Sequence, residues 1–250
     1  MSYTSGNGRL CNQIIRNIAT SLIAEKFDLY VEYNNHEIMK KIGLNLFVGS
    51  KKYKNTIRLS DNNYFKILES NKLESNINPN NNYFQTKKIT HFIHDHIKNI
   101  QKKIIDMNPN KNLYNRNNDC FIHIRLGSVE KFNPGFKYYD DIISSVNPCK
   151  IYLATDSIEH KINKKLKDKY KQKLIFMDDD LLGIFQLGST CKYVILSYGS
   201  FSAFIGYISF FSKVYYKKID EKTAWDYNQK TEHNMFDNHR SNIEAWKRIS

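Results

Sequence analysis

Cysteine is scarce in this sequence, and the few that occur give no sign of a disulfide framework or a zinc site. Cys11, Cys120, Cys149 and Cys191 are widely spaced, and no two of them form a C-x-x-C pair. Most lie in or beside apolar runs, where a free thiol packs as a small hydrophobic side chain. Because residues 1–8 are polar, we expect no secretory leader and a reducing, cytoplasmic setting.

The sequence has a long uncharged stretch but lacks a convincing membrane span. Residues 194–212 carry no formal charge and are numerous enough to cross a bilayer. Serines and glycines interrupt this stretch repeatedly, so it fits a buried strand, a tight turn and a buried helix better than a spanning helix. We therefore expect a soluble protein without a transmembrane segment.

Acidic residues are the minority among the charged ones, and the formal net charge is +13. The excess is mostly Lys scattered along the chain, and a cleft for a nucleotide pyrophosphate needs only a few of these charges. We expect no nucleic-acid partner. A basic Rossmann-like module that binds RNA or an anionic glycan without catalysis stays open as an alternative. The sequence also lacks a Walker loop and a nucleophile triad with a positioned His.

Apolar segments of strand and helix character alternate through the second half of the chain. The expected strands are 120–124, 150–154, 174–177, 193–197 and 214–216, and the expected helices are 138–145, 158–170, 180–190 and 202–211. This rhythm predicts an α/β fold whose mostly parallel sheet is covered on both faces. Ligands of such sheets bind beyond the carboxyl ends of the strands.

The first half of the chain contains part of another α/β unit. Residues 10–27 repeat apolar side chains at helical spacing, and residues 28–33 alternate like a strand. The strand expected before the helix is short or absent. A second helix is predicted over residues 90–107, and the Asn- and Pro-rich residues 76–82 predict a turn region.

A polar segment separates the two halves. Residues 108–118 contain a proline and several asparagines, which are typical of a linker. We therefore expect two domains, formed by residues 1–115 and 116–250.

Polar residues and a glycine follow the first expected strand of the second half. His123 and Arg125 are two positions apart, so their side chains point to the same side of the strand, and Gly127 lets the backbone turn. Burying an unpaired guanidinium is costly. Arg125 should therefore face either a phosphate, through charge-assisted hydrogen bonds, or a carboxylate at the rim of the sheet.

Two further strand ends carry candidate ligand-binding residues. Asp156 follows the second strand, where a carboxylate can bond a ribose or a base edge, or can cap the next helix. Ser200, Phe201 and Ser202 follow the fourth strand and begin a helix. Hydroxyls, a glycine and free backbone N–H groups at a helix N-terminus suit a diphosphate. The alternative is a serine N-cap without a ligand.

Three short segments of the chain resemble the ordered motifs of GT-B fucosyltransferases. They are Gly8-Arg9-Leu10-Cys11-Asn12-Gln13, His123-Ile124-Arg125-Leu126-Gly127 and Ser200-Phe201-Ser202. They are most similar to the α-1,2-fucosyltransferases of glycosyltransferase family 11, and less similar to protein O-fucosyltransferases. The resemblance implies two Rossmann-like halves facing a central cleft. It also implies a metal-independent, inverting transfer of fucose from GDP-fucose to a glycan hydroxyl, with no cofactor beyond the nucleotide sugar.

The resemblance also implies roles for residues of the donor domain. Arg125 would hold the donor phosphates and stabilise the departing GDP, and His123 and Gly127 would help to shape the same pocket. Asp156 would lie near the nucleoside. Ser200-Phe201-Ser202 would line the phosphates and the nucleotide.

In the N-terminal half the resemblance implies that Asn12 faces the sugar and the acceptor, with Gly8 and Arg9 beside the donor. The sequence departs from the family pattern at Cys11, which replaces a loop glycine, and at Ser128, which replaces an acidic residue. Such departures leave open another deoxysugar such as rhamnose.

Other signals leave the base and the metal requirement open. An inverting transfer needs a base for the acceptor hydroxyl, and Glu130 is one loop carboxylate that could serve. Asp178-Asp179-Asp180 follows a strand, as the metal-binding D-x-D motif of GT-A transferases does, although Asp180 also stands where a helix cap belongs. His91, His94 and His96 look like metal ligands, but on a helix the last of them points away from the other two.

Overall fold

The computed structural model describes residues 1–6, 8–217 and 246–249. These residues divide into two compact units. Unit 1 comprises the described part of Met1–Lys103, and unit 2 comprises the described residues from Ile104 onward.

The division between the units falls before the polar segment that the sequence suggests as a linker. Asn108 explains why this segment belongs to unit 2. Its amide Nδ2 donates to the carbonyl oxygen of Gln186 at 2.9 Å and to the Tyr114 hydroxyl at 3.0 Å. The side chain of Asn108 is buried, so these bonds fix the segment against the rest of unit 2. The roles expected for residues 1–115 and 116–250, acceptor side and donor side, stay predictions.

Unit 1 is built from helices and two short pairs of parallel strands. Its helices are α1 (Leu10–Phe27), α2 (His36–Ile42), α3 (Tyr64–Glu69) and α4 (Lys87–Asn99), and α5 (Gln101–Met107) spans the division between the two units. The strand pairs are β1 (Ser2–Tyr3) with β2 (Val31–Glu32), and β3 (Thr56–Arg58) with β4 (Asn76–Asn78). The expected first strand therefore exists, but it is only two residues long.

Helix α1 is buried over most of its surface, including several of its polar side chains. Apolar residues such as Ile14 and Ile18 fill the core, as their spacing predicts. Arg16 is fully buried. It donates from Nε to the Asn82 carbonyl at 2.9 Å and from Nη1 to the Ser5 carbonyl at 2.8 Å. The helix therefore organises the loops of unit 1 as well as its core.

Two predictions for unit 1 are wrong in detail. Residues 76–82 are not all turn, because Asn76–Asn78 forms β4. The amide of Asn76 donates to the Tyr53 carbonyl at 2.6 Å, and Ile77 is fully buried, so a strand forms despite the polar composition. The single helix expected over 90–107 is divided at Ile100 into α4 and α5.

Unit 2 contains a parallel sheet, as the sequence predicts. Its strands are β5 (Cys120–Ile124), β6 (Ile151–Thr155), β7 (Leu174–Phe176), β8 (Tyr193–Ile195), β9 (Lys213–Lys217) and β10 (Trp246–Ile249). They lie in the order β10-β9-β8-β5-β6-β7, and each neighbouring pair is parallel. This is the doubly wound order of Rossmann-type sheets. Successive strands are added on one side of β5 up to β7, and the chain then returns to add β8, β9 and β10 on the other side, so the strand order reverses between β5 and β8.

Helices cover both faces of this sheet. They are α6 (Phe136–Val146), α7 (Lys161–Tyr170), α8 (Leu181–Gly188) and α9 (Ser200–Ile208). On one face, Ile122 and Ile124 of β5 pack in a core with residues of α6 and α7. On the other face, Phe121 lies against Gly188 of α8 and Ile205 of α9. The alternation along β5 therefore sends His123 to the face of α8 and α9.

Side chains cap two of these helices and set their first residues. The His160 ring accepts from the Ile162 N–H at 3.3 Å, so α7 begins at Lys161 and not at residue 158 as expected. Asp180 accepts from the Gly183 N–H at 2.8 Å and caps α8. Within the described part of the chain, no helix is both long enough and apolar enough to cross a bilayer.

Gly188 allows α8 to approach the sheet closely. A Cβ at this position would lie 2.8 Å from atoms of both Phe121 and Ile205. We expect Gly188→Ala to lower the free energy of unfolding of unit 2 by about 1–3 kcal/mol through overpacking. Urea denaturation measures this loss. Adding Phe121→Leu to Gly188→Ala should restore part of the stability. If the losses in unfolding free energy of the two single variants simply add in the double variant, the close contact between Gly188 and Phe121 is contradicted.

Candidate functional site

Candidate site residues of unit 2 gather where the strand order reverses. The chain leaves β5 through Arg125 and Gly127, and it leaves neighbouring β8 through Ser197 and Gly199 before α9 begins. Because the two strands are parallel and hydrogen-bonded, both exits lie at the same edge of the sheet. Connections leave such a point in opposite directions and open a crevice there, which is where α/β sheets bind ligands.

A buried hydrogen-bonded network joins the two exits. The His123 Nδ1 atom lies 2.5 Å from the Ser202 Oγ atom. The Ser197 Oγ atom lies 3.4 Å from each of these two atoms and accepts from the Arg125 N–H at 3.0 Å. All three side chains of the network are buried. The end of β5 is therefore fixed relative to the first turn of α9.

His123 is an uncharged part of this network at neutral pH. Burial lowers the pKa of its imidazole from 6.5 to about 4, although the Asp156 carboxylate opposes the shift. The ring centroid lies 4.4 Å from that of Phe201, which in turn stacks on Phe185 at 4.9 Å. His123 and Phe201 thus form a packed aromatic wall.

Asp156 clamps the turn that follows β5. One carboxylate oxygen forms an ion pair with Nη1 of Arg125, and the other accepts from the Leu126 N–H at 2.8 Å. The carboxylate at the sheet rim, one of the two partners expected for Arg125, is therefore present. The alternative that Asp156 caps the next helix is wrong, because His160 caps α7.

The Arg125 guanidinium retains hydrogen-bonding capacity. Its side chain is only 13% exposed. Among the residues that the structure describes, its hydrogen-bond partner is Asp156, which uses one of several N–H donors. A largely buried cation with donors to spare is suited to a second anion.

Gly127 is required by the closeness of Asp156. Its φ is +25°, and a Cβ there would lie 2.8 Å from the Asp156 Oδ2 atom, the same oxygen that pairs with Arg125. A side chain at this position would push the carboxylate out of the ion pair. Gly127, which the sequence suggests for a turn, thus also leaves the space that the Asp156 carboxylate occupies.

The N-terminus of α9 differs from those of α7 and α8 because no side chain caps it. Its N-cap is Gly199, at φ 99°, so backbone N–H groups of the first turn have no capping oxygen from that residue. Ser200 is half-buried at the start of the helix. The Ser202 hydroxyl, expected beside phosphates, is instead buried against His123. Ser202 therefore positions the site from within the core.

Two of the other carboxylates considered from the sequence, Glu130 and Asp180, have identifiable partners. Glu130 lies on the 3-10 helix Gly127–Phe132, and its Oε1 atom is 2.8 Å from Nε2 of His160. Asp180 caps α8, and His91 lies 3.4 Å from Asp95. Within the described residues, no group of three or more His, Cys, Asp or Glu side chains is arranged to hold a metal ion.

The N-terminal candidates Gly8, Arg9 and Asn12 lie in unit 1, around the start of α1. Gly8 has a φ of +86°, and Arg9 is exposed at the N-cap position. The Asn12 Oδ1 atom accepts from Nε2 of Gln85 at 2.8 Å. The structure therefore groups these three residues with each other, and groups the remaining candidates in unit 2.

The sequence places Ser197 at the end of the fourth expected strand but does not predict its role, which is to link Arg125 to Ser202 and His123. The available signal was its place at the end of an apolar strand, two residues before a glycine. Sequence reasoning also missed the contact of Gln85 with Asn12, for which neither spacing nor composition gives a signal. Both links join residues that are distant along the chain.

No protein-family model matches this sequence, and no curated protein shows significant similarity to it. The fucosyltransferase resemblance therefore depends on the three short motifs alone.

The clamp predicts a specific cost for a side chain at position 127. Gly127→Ala should lower the free energy of unfolding by about 1–3 kcal/mol beyond backbone strain, because the new Cβ displaces the Asp156 carboxylate. The matched control is Gly135→Ala, where φ is +88° and no atom lies within 4 Å of the new Cβ.

Chemical denaturation of the two variants, each also in an Asp156→Ala background, measures this coupling. The cost at position 127 should shrink when the carboxylate is absent, and the cost at position 135 should not. Equal costs in both backgrounds would mean that the clamp does not exist as described.

The buried histidines predict an acid-sensitive fold. The pKa of His123 in unit 2 and that of His94 in unit 1 are each lowered to about 4, chiefly by burial. The unfolded chain therefore takes up protons first, so stability is complete above pH 6.5 and is lost as the pH falls toward 4. For His123 this loss amounts to about 3 kcal/mol.

Unfolding free energies of the wild type and of His123→Asn, measured from pH 7.5 to pH 4, test this. Asn keeps a polar group near the position of Nδ1 but does not titrate, so the slope for unit 2 should flatten. His94→Asn should flatten the slope for unit 1 independently. An unchanged slope in His123→Asn would contradict the neutral, buried state of His123.

Proposed function

We propose that the protein transfers a sugar, fucose or another deoxysugar, from a nucleoside-diphosphate donor to a hydroxyl of a glycan. The observation that carries the proposal is the Arg125 guanidinium, held by Asp156 beside the reversal point of a Rossmann-type sheet. The GT-B arrangement of two facing domains, implied by the motif resemblance, is part of this proposal.

The site has the features that a diphosphate requires. Arg125 supplies a permanent positive charge with spare donors, and the uncapped first turn of α9 supplies backbone N–H groups with the positive end of a helix dipole. Ser197 fixes Arg125 and α9 relative to each other. This combination fits a ligand with two adjacent phosphates, such as a nucleoside diphosphate, better than a ligand with a single negative charge.

The same features support catalysis of transfer. When the bond between the anomeric carbon and the diphosphate breaks, negative charge grows on the departing oxygen. Groups already placed to bind that charge stabilise the transition state more than the ground state. Arg125 would do this without reorganisation, because Asp156 and Leu126 hold the turn in place before the donor binds.

Glu130 remains the candidate base for the acceptor hydroxyl. The His160 Nδ1 atom accepts the Ile162 N–H, so the proton of a neutral ring lies on Nε2 and is donated to Glu130. The Glu130 side chain is 53% exposed, whereas Asp156 and Asp180 each accept a backbone N–H that fixes a turn or a helix end. The rival proposal is a metal-dependent transferase of the GT-A type, in which Asp178-Asp179-Asp180 would hold the metal ion. Loss of turnover with a chelator would favour this rival.

Donor binding tests the proposal first. GDP-fucose, GDP and other nucleotide sugars should raise the melting temperature of the wild type, by an amount equivalent to about 2.7 kcal/mol at a hundredfold excess over Kd. Arg125→Ala should weaken binding about 10- to 100-fold, because charge-assisted hydrogen bonds are lost. Titration calorimetry measures the affinities.

Control variants separate binding from folding. Arg116→Ala removes an exposed guanidinium from the same unit and should leave the affinity unchanged. Asp156→Asn shows how much of the effect comes from disturbing the turn, and Arg125→Lys keeps the charge without the planar donor geometry. Two results would favour the non-catalytic basic module. One is that no nucleotide sugar binds. The other is that Arg116→Ala and Arg125→Ala lose equal binding affinity and that binding depends steeply on salt.

A further inference from the structure

An exposed tyrosine stands beside the start of α1 in unit 1. Tyr83 is 45% exposed, although its neighbour Phe84 is fully buried. The Cζ atom of Arg16 lies over one face of the Tyr83 ring, 5.9 Å from its centroid. Because Arg16 is fully buried, the ring face that it contacts is turned inward, which leaves the other face and the edge of the ring to account for the exposed fraction of Tyr83. The ring is thus held from its inner side and presents aromatic surface to a ligand on its outer side.

Two amide side chains lie close to this ring. A Cβ placed on Gly8 would be 3.4 Å from Cε1 of Tyr83 and 3.4 Å from Nδ2 of Asn12, so the glycine lies between the ring and the amide. Gln85 donates from Nε2 to Oδ1 of Asn12. In the part of the chain that is described, Nδ2 of Asn12 and Oε1 of Gln85 have no hydrogen-bond partner. They leave a donor and an acceptor beside the ring.

The loop beneath these groups is braced from the inside. The Gln13 amide donates to the carbonyl oxygens of Gly6 and Gly8, at 2.7 Å each, and accepts from Asn35 at 2.5 Å. Arg16 holds the carbonyls of Ser5 and Asn82, the residue that precedes Tyr83. The surface is therefore set before any ligand arrives, which lowers the entropic cost of binding.

We propose that Tyr83, Asn12 and Gln85 form a binding surface for a sugar ring of a glycan. The C–H face of a pyranose is apolar and stacks on an uncovered aromatic face. Its hydroxyl groups both donate and accept, which matches the amide N–H of Asn12 together with the carbonyl oxygen of Gln85. This surface would serve the acceptor of the proposed transferase, but it does not depend on that function.

Other ligand classes fit the surface less well. The Arg16 guanidinium is buried and holds backbone carbonyls, so Arg16 does not present its charge to a phosphate. A nucleobase is commonly held between two flat groups, and the Tyr83 ring offers one open face here. Nucleosides are therefore included in the experiment as a competing class.

Glycan-array binding followed by saturation-transfer NMR tests the proposal. The wild type should bind at least one oligosaccharide, and saturation should pass mainly to the C–H protons of one ring. Tyr83→Ala should weaken that binding about tenfold or more, because stacking and buried area are both lost. Tyr83→Phe should bind nearly as well as the wild type, and Asn12→Ala should bind less well.

Tyr3→Ala is the matched control, since Tyr3 is 48% exposed in the same unit. This variant should bind as the wild type does. Absence of glycan binding, equal affinity of Tyr83→Ala and wild type, or a preference for nucleosides would each overturn the proposal. So would a loss in Tyr83→Phe as large as in Tyr83→Ala, because the hydroxyl would then be the contact.

The same variants distinguish this proposal from the proposed transferase. GDP-fucose affinity should be the same in Tyr83→Ala as in the wild type, and glycan affinity should be the same in Arg125→Ala. If the donor binds through Arg125 and no glycan binds, only the proposed glycan-binding surface is refuted. If a glycan binds through Tyr83 and no nucleotide binds, only the proposed transferase function is refuted.

Discussion

The ion pair between Asp156 and Arg125 is the interaction on which the arrangement of unit 2 depends. The carboxylate also accepts the Leu126 N–H, so a single side chain sets both the guanidinium and the backbone that follows β5. Gly127 provides the space for it, and Ser197 carries the constraint across to α9. A cation held in this way keeps donors for a second anion and needs little rearrangement to meet one.

Unit 1 uses the same physical device with different groups. The buried polar side chains of α1, Gln13 and Arg16, hold loop carbonyls inward and leave outward-facing groups at defined positions. A buried amide or guanidinium is tolerated because its hydrogen bonds replace those with water. In both units, then, hydrogen-bonded side chains beneath the surface determine which polar groups face outward.

Much of the fold follows from local pattern. The alternation of apolar strands and helices is enough to predict the parallel sheet, and the position of His123 and Arg125 at the end of an apolar strand predicts that they lie near its carboxyl edge. What could not be predicted are choices between partners of similar chemistry. Spacing could not decide whether Asp156 caps a helix or clamps Arg125, nor that Asn76 would enter a strand by bonding the backbone around Tyr53. Such choices depend on contacts between distant segments, which single-sequence patterns do not encode.

A crystal structure of the protein with GDP tests the central claim most directly. The account predicts that the diphosphate lies within hydrogen-bonding distance of the Arg125 guanidinium and of backbone N–H groups at Ser200 and Phe201, with Asp156 still on the Leu126 N–H. A diphosphate bound elsewhere, with Arg125 contacting Asp156 alone, would contradict it.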